Sequence, residues 1–151
     1  HVACVEVDEL TGKTEVMEYL AVTDGGRIIN PHGFEQQVHG GVAQGIGYAL
    51  MEEILLHRGE IRNPVLTTYI IPTFLDIPEI HSTAVETVEC TGPFGMKGVG
   101  EVGVNAPLPA IAGAIEDALG CSLDHSPLRA DRVLGSERRD SMTDKDLKHA
   151  H

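Results

Sequence analysis

The chain has 151 residues, of which 42% are apolar and 23% charged, which is enough for one compact domain with its own core. Its formal net charge of -12 argues against binding to nucleic acid or to anionic membrane surfaces, because both repel an acidic protein. No apolar run approaches the roughly 18 residues of a membrane-spanning helix. No signal peptide is recognisable at the start of the sequence.

The cysteines and histidines do not show the spacing of a metal site. The three cysteines, Cys4, Cys90 and Cys121, lie far apart and form no Cys-x-x-Cys pair. The eight histidines show close spacing only at residues 149–151. We therefore expect no iron–sulfur cluster or metal ligands from this chain alone. Unpaired thiols favour a reduced, cytoplasmic setting.

The chain begins with the pattern of a β-hairpin. Residues 2–8 alternate between apolar and polar side chains, Thr11 and Gly12 form a turn, and residues 13–22 resume the extended pattern. A break at residues 24–26 separates this hairpin from the next element.

A long glycine-rich helix is predicted next. Apolar residues recur at spacings of three and four from about Gly33 to His57, and Gly59 is expected to end the helix. Each interior glycine costs up to ~1 kcal/mol relative to alanine. Because packing must offset that cost, we expect another helix, a sheet or a ligand to lie close against this helix. The interior glycines are Gly40, Gly41, Gly45 and Gly47.

The middle of the chain is more irregular. Three prolines within residues 60–80 indicate an irregular connection, and the alternation over residues 79–89 predicts a strand. Residues 91–103 contain five glycines, which neither an ordinary helix nor an ordinary strand tolerates.

The end of the chain combines one helix with a polar tail. A second, shorter helix is predicted from about Pro107 to Leu119, and a last helical turn at residues 128–134. Residues 135–151 are almost free of apolar side chains. We therefore predict a domain over residues 1–134 and a disordered polar tail over residues 135–151.

The segment from Gly98 to Gly103 formally matches the G-x-G-x-x-G pattern of dinucleotide-binding loops. That function requires a strand directly before the first glycine and a helix that opens at the loop. Pro93 and Gly95 precede the match, and Pro107 delays the helix. A nucleotide-binding domain is therefore an alternative that the surrounding sequence does not favour.

The same segment also has the character of a catalytic loop. Successive glycines expose backbone N–H groups that can bind an anionic group. Glu101 lies between Val99 and Val102, and a carboxylate that is poorly solvated there would hold its proton more tightly. That property suits a general base working near neutral pH. The alternative is a solvated glutamate beside a structural glycine turn.

Several motifs together resemble one known family. The segment from Gly92 to Glu101 resembles the Gly-Ala-Lys-Gly-Val-Gly-Glu signature of the xanthine dehydrogenase/aldehyde oxidase family, the molybdenum hydroxylases. The run from Gln37 to Glu53 is similar to the glycine-rich helix of that family's molybdopterin-binding subunit. Further motifs follow in family order, so that the resemblance covers roughly residues 2–134. It is confined to the C-terminal portion of the family's large subunit. The implied fold is α+β, with a mixed sheet, one long glycine-rich helix and a second, shorter helix.

The resemblance implies oxidative hydroxylation, with water, of an N-heterocycle of the purine or pyridine type or of an aldehyde. Glu101 matches the catalytic base of the family. Gln37 matches the glutamine that hydrogen-bonds the molybdopterin, and Gly98, Val99 and Gly100 match the loop whose backbone approaches the cofactor. No metal ligand is implied in this chain, because the pterin dithiolene holds the molybdenum.

The resemblance also implies that the chain works only within a larger enzyme and is inactive alone. Its cofactor would be molybdopterin, with the cytosine dinucleotide form as one option, and iron–sulfur clusters and FAD would lie on partner chains. The partners would be the remainder of the molybdenum subunit, an iron–sulfur subunit and, in some members, a FAD subunit. A non-catalytic homologue that binds a partner or serves as a scaffold is the alternative, and the presence of both Glu101 and Gln37 favours the enzyme. The sequence departs from the family at Gln36, Met96 and Gly113.

Overall fold

A mixed three-stranded sheet packed against two helices forms the fold, in a computed structural model that describes residues 1–136. The predicted α+β class is confirmed. In chain order, the strands are β1 (Val2–Val7), β2 (Thr14–Asp24), β3 (Leu56–His57), β4 (Glu60–Ile61) and β5 (Glu79–Val85), and the helices are α1 (Pro31–Leu50) and α2 (Pro107–Leu119).

The sheet has the order β1-β2-β5. The predicted hairpin is confirmed, since β1 pairs with β2 in antiparallel fashion and Gly12 adopts a φ of 71° in the turn between them. Strand β5 pairs with the other side of β2 in parallel. Helix α1 lies within the crossover that a parallel pair requires. The carboxyl ends of β2 and β5, at Asp24 and Val85, consequently lie next to each other.

The core lies between one face of the sheet and the two helices. Alternation along β2 buries every second side chain over much of the strand, and the apolar stripe of each helix faces these residues. Leu128 and Val133 close the core from the C-terminal side. The largest fully buried apolar side chains are those of Tyr19, Val38, Val42, Ile46, Ile111, Ile115 and Val133.

Helix α1 is shorter than the sequence predicts. It begins where Asn30 accepts a hydrogen bond from the Gly33 N–H at 3.0 Å and Pro31 takes the first helical position. It ends at Leu50 rather than near His57, and so the prediction was wrong over the last turns. The carbonyl oxygen of Gly47 accepts both the Met51 and the Glu52 N–H, at 2.9 and 2.8 Å, and the chain then leaves the helix direction.

The connection after α1 is irregular, as predicted, apart from a short hairpin of β3 and β4 that was not predicted. Strand β5 ends at Val85, four residues before the predicted end. The second helix was predicted correctly at both ends, and Gly120 with a φ of 64° terminates it.

The last helical turn occupies residues 130–136, close to the predicted 128–134. The predicted tail of residues 135–151 lies outside the described residues from residue 137 onward, so the domain boundary stays a prediction. No helix of the described residues is long and apolar enough to cross a membrane.

Candidate active site

A cavity of about 540 Å³ lies between helix α1 and the glycine-rich loop. It brings together three of the residues that the sequence singled out, Gln37, Gly100 and Glu101. Helix α1 contributes Gln36, Gln37, Gly40, Gly41, Gln44 and Tyr48 to its lining, and the loop contributes Gly100, Glu101, Val104 and Asn105.

Two other predicted contact residues, Gly98 and Val99, do not line this cavity. Gly98 is exposed on the outer part of the loop. Val99 is half-buried and packs against the hydrophobic core. Its Cγ1 atom lies close to Gly25, such that a Cβ atom placed on that glycine would be 3.2 Å away. The side chain of Val99 therefore anchors the loop from within.

Two of the helix glycines bring α1 close to the loop and to the first residue of α2, so that the predicted close approach is confirmed, although a loop was not among the expected elements. A Cβ atom on Gly41 would lie 2.9 Å from the Cα atom of Gly103. One on Gly45 would lie 2.5 Å from the Cγ atom of Pro107 and 2.9 Å from the Val104 carbonyl oxygen. These glycines lie four residues apart on one helix face, which forms the groove that receives residues 102–107.

Three further glycines face open space. A Cβ atom on Gly40, Gly98 or Gly100 would meet no atom within 4 Å, and none of these residues has a positive φ. Neither packing within the chain nor backbone conformation therefore requires glycine at these positions. Close approach of a bulky ligand to the main chain would require it. Of the three, Gly40 and Gly100 line the cavity, so a ligand there can approach the main chain closely.

Glu101 is exposed, contrary to the expectation of a poorly solvated carboxylate. Its neighbour Val102 is also exposed, and Val99 turns inward, so that neither valine covers the carboxylate. Within residues 1–136 no hydrogen bond fixes the carboxylate oxygens. The backbone carbonyl of Glu101 accepts a hydrogen bond from the Val104 N–H at 3.1 Å, which closes the short 3-10 turn after it.

Polar residues that the sequence analysis did not single out also line the cavity, including Gln44, Tyr48 and Asn105. Gln44 donates a hydrogen bond to the Tyr48 hydroxyl oxygen. The sequence does contain a signal for Gln44 and Tyr48, because they follow Gln37 along one helix face at intervals of seven and four residues. Asn105 has no such signal, because the fold of the loop alone brings it to the cavity.

The loop lacks the surroundings of a dinucleotide-binding motif. Met96, two residues before Gly98, forms only an isolated bridge with Gly26, and no described strand leads into the loop. Helix α2 begins at Pro107, after a separate 3-10 turn. Among residues 1–136, no group of three or more His, Cys, Asp or Glu residues could hold a metal ion.

Comparison with known proteins gives consistent matches. The sequence model of the family described as "Molybdopterin cofactor-binding domain" matches residues 1–78. A relative from Bacillus subtilis (strain 168), named as a probable subunit of xanthine dehydrogenase, is 35% identical over 86% of this chain. The crystal structure of quinoline 2-oxidoreductase from Pseudomonas putida 86 matches 89% of the chain with 35% identity and a TM-score of 0.83. That of the aldehyde oxidoreductase from Desulfovibrio desulfuricans ATCC 27774 matches 87% of it with 36% identity and a TM-score of 0.80.

The chain spans only a small part of each of these relatives, namely 17%, 18% and 14% of their respective lengths. Together with these matches, the α+β fold and the glycine-lined cavity place the chain in the class of cofactor-binding domains. The chain belongs to the molybdopterin cofactor-binding domain family, within the xanthine dehydrogenase/aldehyde oxidase group of molybdenum hydroxylases. The resemblance drawn from the sequence motifs is thereby confirmed.

Proposed function

We propose that this chain forms one wall of the active site of a molybdenum hydroxylase. The observation that carries the proposal is the cavity between α1 and the loop. Gln37 lines it from the helix and Glu101 lines it from the loop, and these are the two residues that match the family's cofactor-binding glutamine and its catalytic base. Two residues that are 64 positions apart in sequence thus line the same cavity.

The contacts to molybdopterin would come from Gln37, through its side-chain amide, and from the backbone of Gly98, Val99 and Gly100. The open space at Gly100, which lines the cavity, supports the contact there, whereas the contacts of Gly98 and Val99 rest on the match to the family motif alone. When bound, the molybdopterin cofactor, as such or in its cytosine dinucleotide form, carries the metal and takes up the electrons of the oxidation.

The proposed reaction replaces a substrate C–H bond by C–OH with oxygen from water, and releases two electrons and two protons. Glu101 acts as the general base and takes up the proton of the attacking hydroxyl group at a carboxylate oxygen. Its exposure in this chain leaves the carboxylate accessible from the cavity. In the assembled enzyme the remaining protein would cover it and exclude bulk water.

The substrate class is an N-heterocycle of the purine or pyridine type, or an aldehyde. The names of the relatives include a xanthine dehydrogenase, a quinoline oxidoreductase and an aldehyde oxidoreductase.

Because the chain spans less than one fifth of these relatives, the other walls of the site would come from the remainder of the molybdenum subunit. An iron–sulfur subunit and a FAD subunit would carry the electrons onward. The chain alone would be inactive, and its cytoplasmic location stays a prediction.

The test is the Glu101→Gln variant in the assembled molybdenum enzyme. It keeps the size and polarity of the side chain and removes the base, so that turnover is expected to fall by about 10²–10⁴-fold. The molybdenum content should remain that of the wild type. Glu9→Gln, at an exposed hairpin turn, is the control for loss of one negative charge. Wild-type turnover in Glu101→Gln would refute the assignment of Glu101 as the base, and absence of turnover in the assembled wild type would favour the non-catalytic scaffold.

A further inference from the structure

The glycine-rich loop is attached to the sheet on its N-terminal side, and these contacts use residues to which no role has been assigned. The Lys97 N–H donates to the Gly25 carbonyl oxygen at 3.0 Å, and the Arg27 N–H donates to the Gly95 carbonyl oxygen at 2.9 Å. These hydrogen bonds hold residues 95–97 against the chain that leaves the carboxyl end of β2.

A cluster of three side chains, here named the Lys97 clamp (Asp24, Thr87 and Lys97), reinforces this attachment. The Lys97 Nζ atom donates to Asp24 Oδ2 at 2.6 Å and to Thr87 Oγ1 at 2.7 Å. The Thr87 hydroxyl in turn donates to the same Asp24 oxygen, and the Gly26 N–H donates to Asp24 Oδ1 at 2.9 Å. The clamp therefore joins the ends of β2 and β5 to the start of the loop.

The charges of the clamp compensate each other. The hydrogen bond from Lys97, followed by the one from Thr87, holds the pKa of Asp24 well below its ordinary value. The Asp24 carboxylate therefore stays ionised at neutral pH and keeps its attraction for the ammonium group. The ammonium group of Lys97 is engaged in this way on the sheet side and does not line the cavity.

Glu101 follows Lys97 by only four residues, and two of the three residues between them are glycines. Glycine loses more conformational freedom on folding than any other residue, so a loop of this composition keeps one shape only when both ends are fixed. The contact of Gly41 with Gly103 fixes the C-terminal side. The Lys97 clamp fixes the N-terminal side, and the side chain of Val99, packed against the core, lies between these two ends.

We propose that Lys97 is a positioning residue, which acts through Asp24 and Thr87 to fix the start of the loop and thereby presents the Glu101 carboxylate to the cavity. This inference rests on the proposed role of Glu101 as the base. It assigns no contact with substrate or cofactor to Lys97 itself.

The first test uses Lys97→Met, which keeps the aliphatic stem and removes the ammonium group. In the assembled enzyme, kcat per bound molybdenum is expected to fall by about 10- to 100-fold because the base is misplaced, while KM stays near the wild-type value. Lys97→Arg retains a cation that can reach Asp24 and should recover most of kcat. Lys13→Met removes another ion-paired lysine, whose partner Glu15 lies far from the loop, and is the matched control.

The second test needs no activity. In the 151-residue chain, Lys97→Met should raise the hydrogen–deuterium exchange rates of the Gly26, Arg27 and Lys97 amides by roughly tenfold or more, because these N–H groups are hydrogen-bonded beside the clamp. The amides of α2 should exchange as in the wild type. Thr87→Val, which removes one hydrogen bond and keeps the ion pair, is a milder variant that should give a smaller increase in the same amides.

The outcomes separate the two proposals. Unchanged exchange of the Gly26, Arg27 and Lys97 amides in Lys97→Met, or unchanged kcat per bound molybdenum, would overturn the positioning role even if Glu101→Gln is inactive. A loss of turnover that the loss of molybdenum accounts for in full, with kcat per bound molybdenum unchanged, would also overturn it, because the base would then be correctly placed. An active Glu101→Gln variant would refute the base, whereas faster exchange in Lys97→Met would still support the clamp.

Discussion

Gly41 and Gly103 touch through their backbones: a Cβ atom on Gly41 would lie 2.9 Å from both the Cα and the carbonyl carbon of Gly103. Gly41 lies in the middle of α1, and Gly103 follows Glu101 by two residues. This contact therefore sets the distance between the helix that carries Gln37 and the loop that carries Glu101.

The Gly41→Ala variant is expected to lose both stability and activity. Its methyl group would meet backbone atoms, which cannot rotate away as a side chain can, and overpacking of this kind costs about 1–3 kcal/mol. Urea unfolding of the chain measures the free energy of unfolding, and turnover of the assembled enzyme measures the displacement of Glu101. The matched control is Gly113→Ala in α2, where the new Cβ atom meets nothing within 4 Å. That variant should gain up to ~1 kcal/mol from helix propensity. Equal stability of the two variants would contradict the close approach.

Gln37→Ala is expected to weaken retention of the cofactor. A hydrogen bond to a charged group contributes about 1.5–3 kcal/mol, which corresponds to roughly 10- to 100-fold in affinity. The molybdenum and pterin contents of the purified assembled enzyme measure this loss. Gln36→Ala changes the neighbouring residue of the same cavity and is expected to leave both contents near wild type. Equal losses in the two variants would show that the cavity wall, rather than the Gln37 amide, holds the cofactor.

Sequence periodicity predicted the elements whose side chains divide cleanly between core and solvent. Strands β1 and β2 alternate, and α2 has a buried stripe between a proline at its start and a glycine at its end. Periodicity failed after Leu50, because the apolar residues that follow do not enter the core of this chain. Ile54 and Leu56, for example, are 59% and 67% exposed.

The candidate site was predicted only in part, because motifs in the sequence do not show which further side chains the loop brings to the cavity. Gln37 and Glu101 stand out through family motifs, whereas Asn105 reaches the cavity only through the path of the loop. The expected shielding of Glu101 was wrong because its flanking valines do not cover the carboxylate within this chain. The role of Lys97 depends on side chains from two strand ends, which are distant in sequence.

Leu128→Ala tests whether the core continues beyond α2. Leu128 is only 4% exposed, and its N–H donates to the Ala49 carbonyl oxygen near the end of α1. Truncation of a buried leucine removes apolar contacts and leaves a cavity, at a cost of about 2–5 kcal/mol. Leu10→Ala, at a hairpin turn where the leucine is 90% exposed, should change stability by no more than about 0.5 kcal/mol. Similar unfolding midpoints for the two variants would place Leu128 outside the core.

Tyr69 gives the connection between α1 and β5 a defined response to alkaline pH. Its hydroxyl donates to Glu52 Oε2 at 2.6 Å, and this hydrogen bond is the main reason that the pKa of Tyr69 rises to about 12. The unfolded chain loses this proton near pH 10, so the folded state binds more protons between pH 10 and 12. The corresponding stabilisation is complete below pH 10 and is lost as the pH rises through 12.

Urea unfolding between pH 9 and 12 measures this dependence. Tyr69→Phe should have a lower free energy of unfolding than the wild type at pH 9 and a shallower decline toward pH 12, since the titrating group is gone. Glu52→Gln keeps an oxygen that can accept the Tyr69 hydroxyl and removes the charge, so its curve should fall between the other two. A decline in Tyr69→Phe as steep as that of the wild type would mean that other groups account for the alkaline loss, and the Tyr69–Glu52 hydrogen bond would then not stabilise this connection.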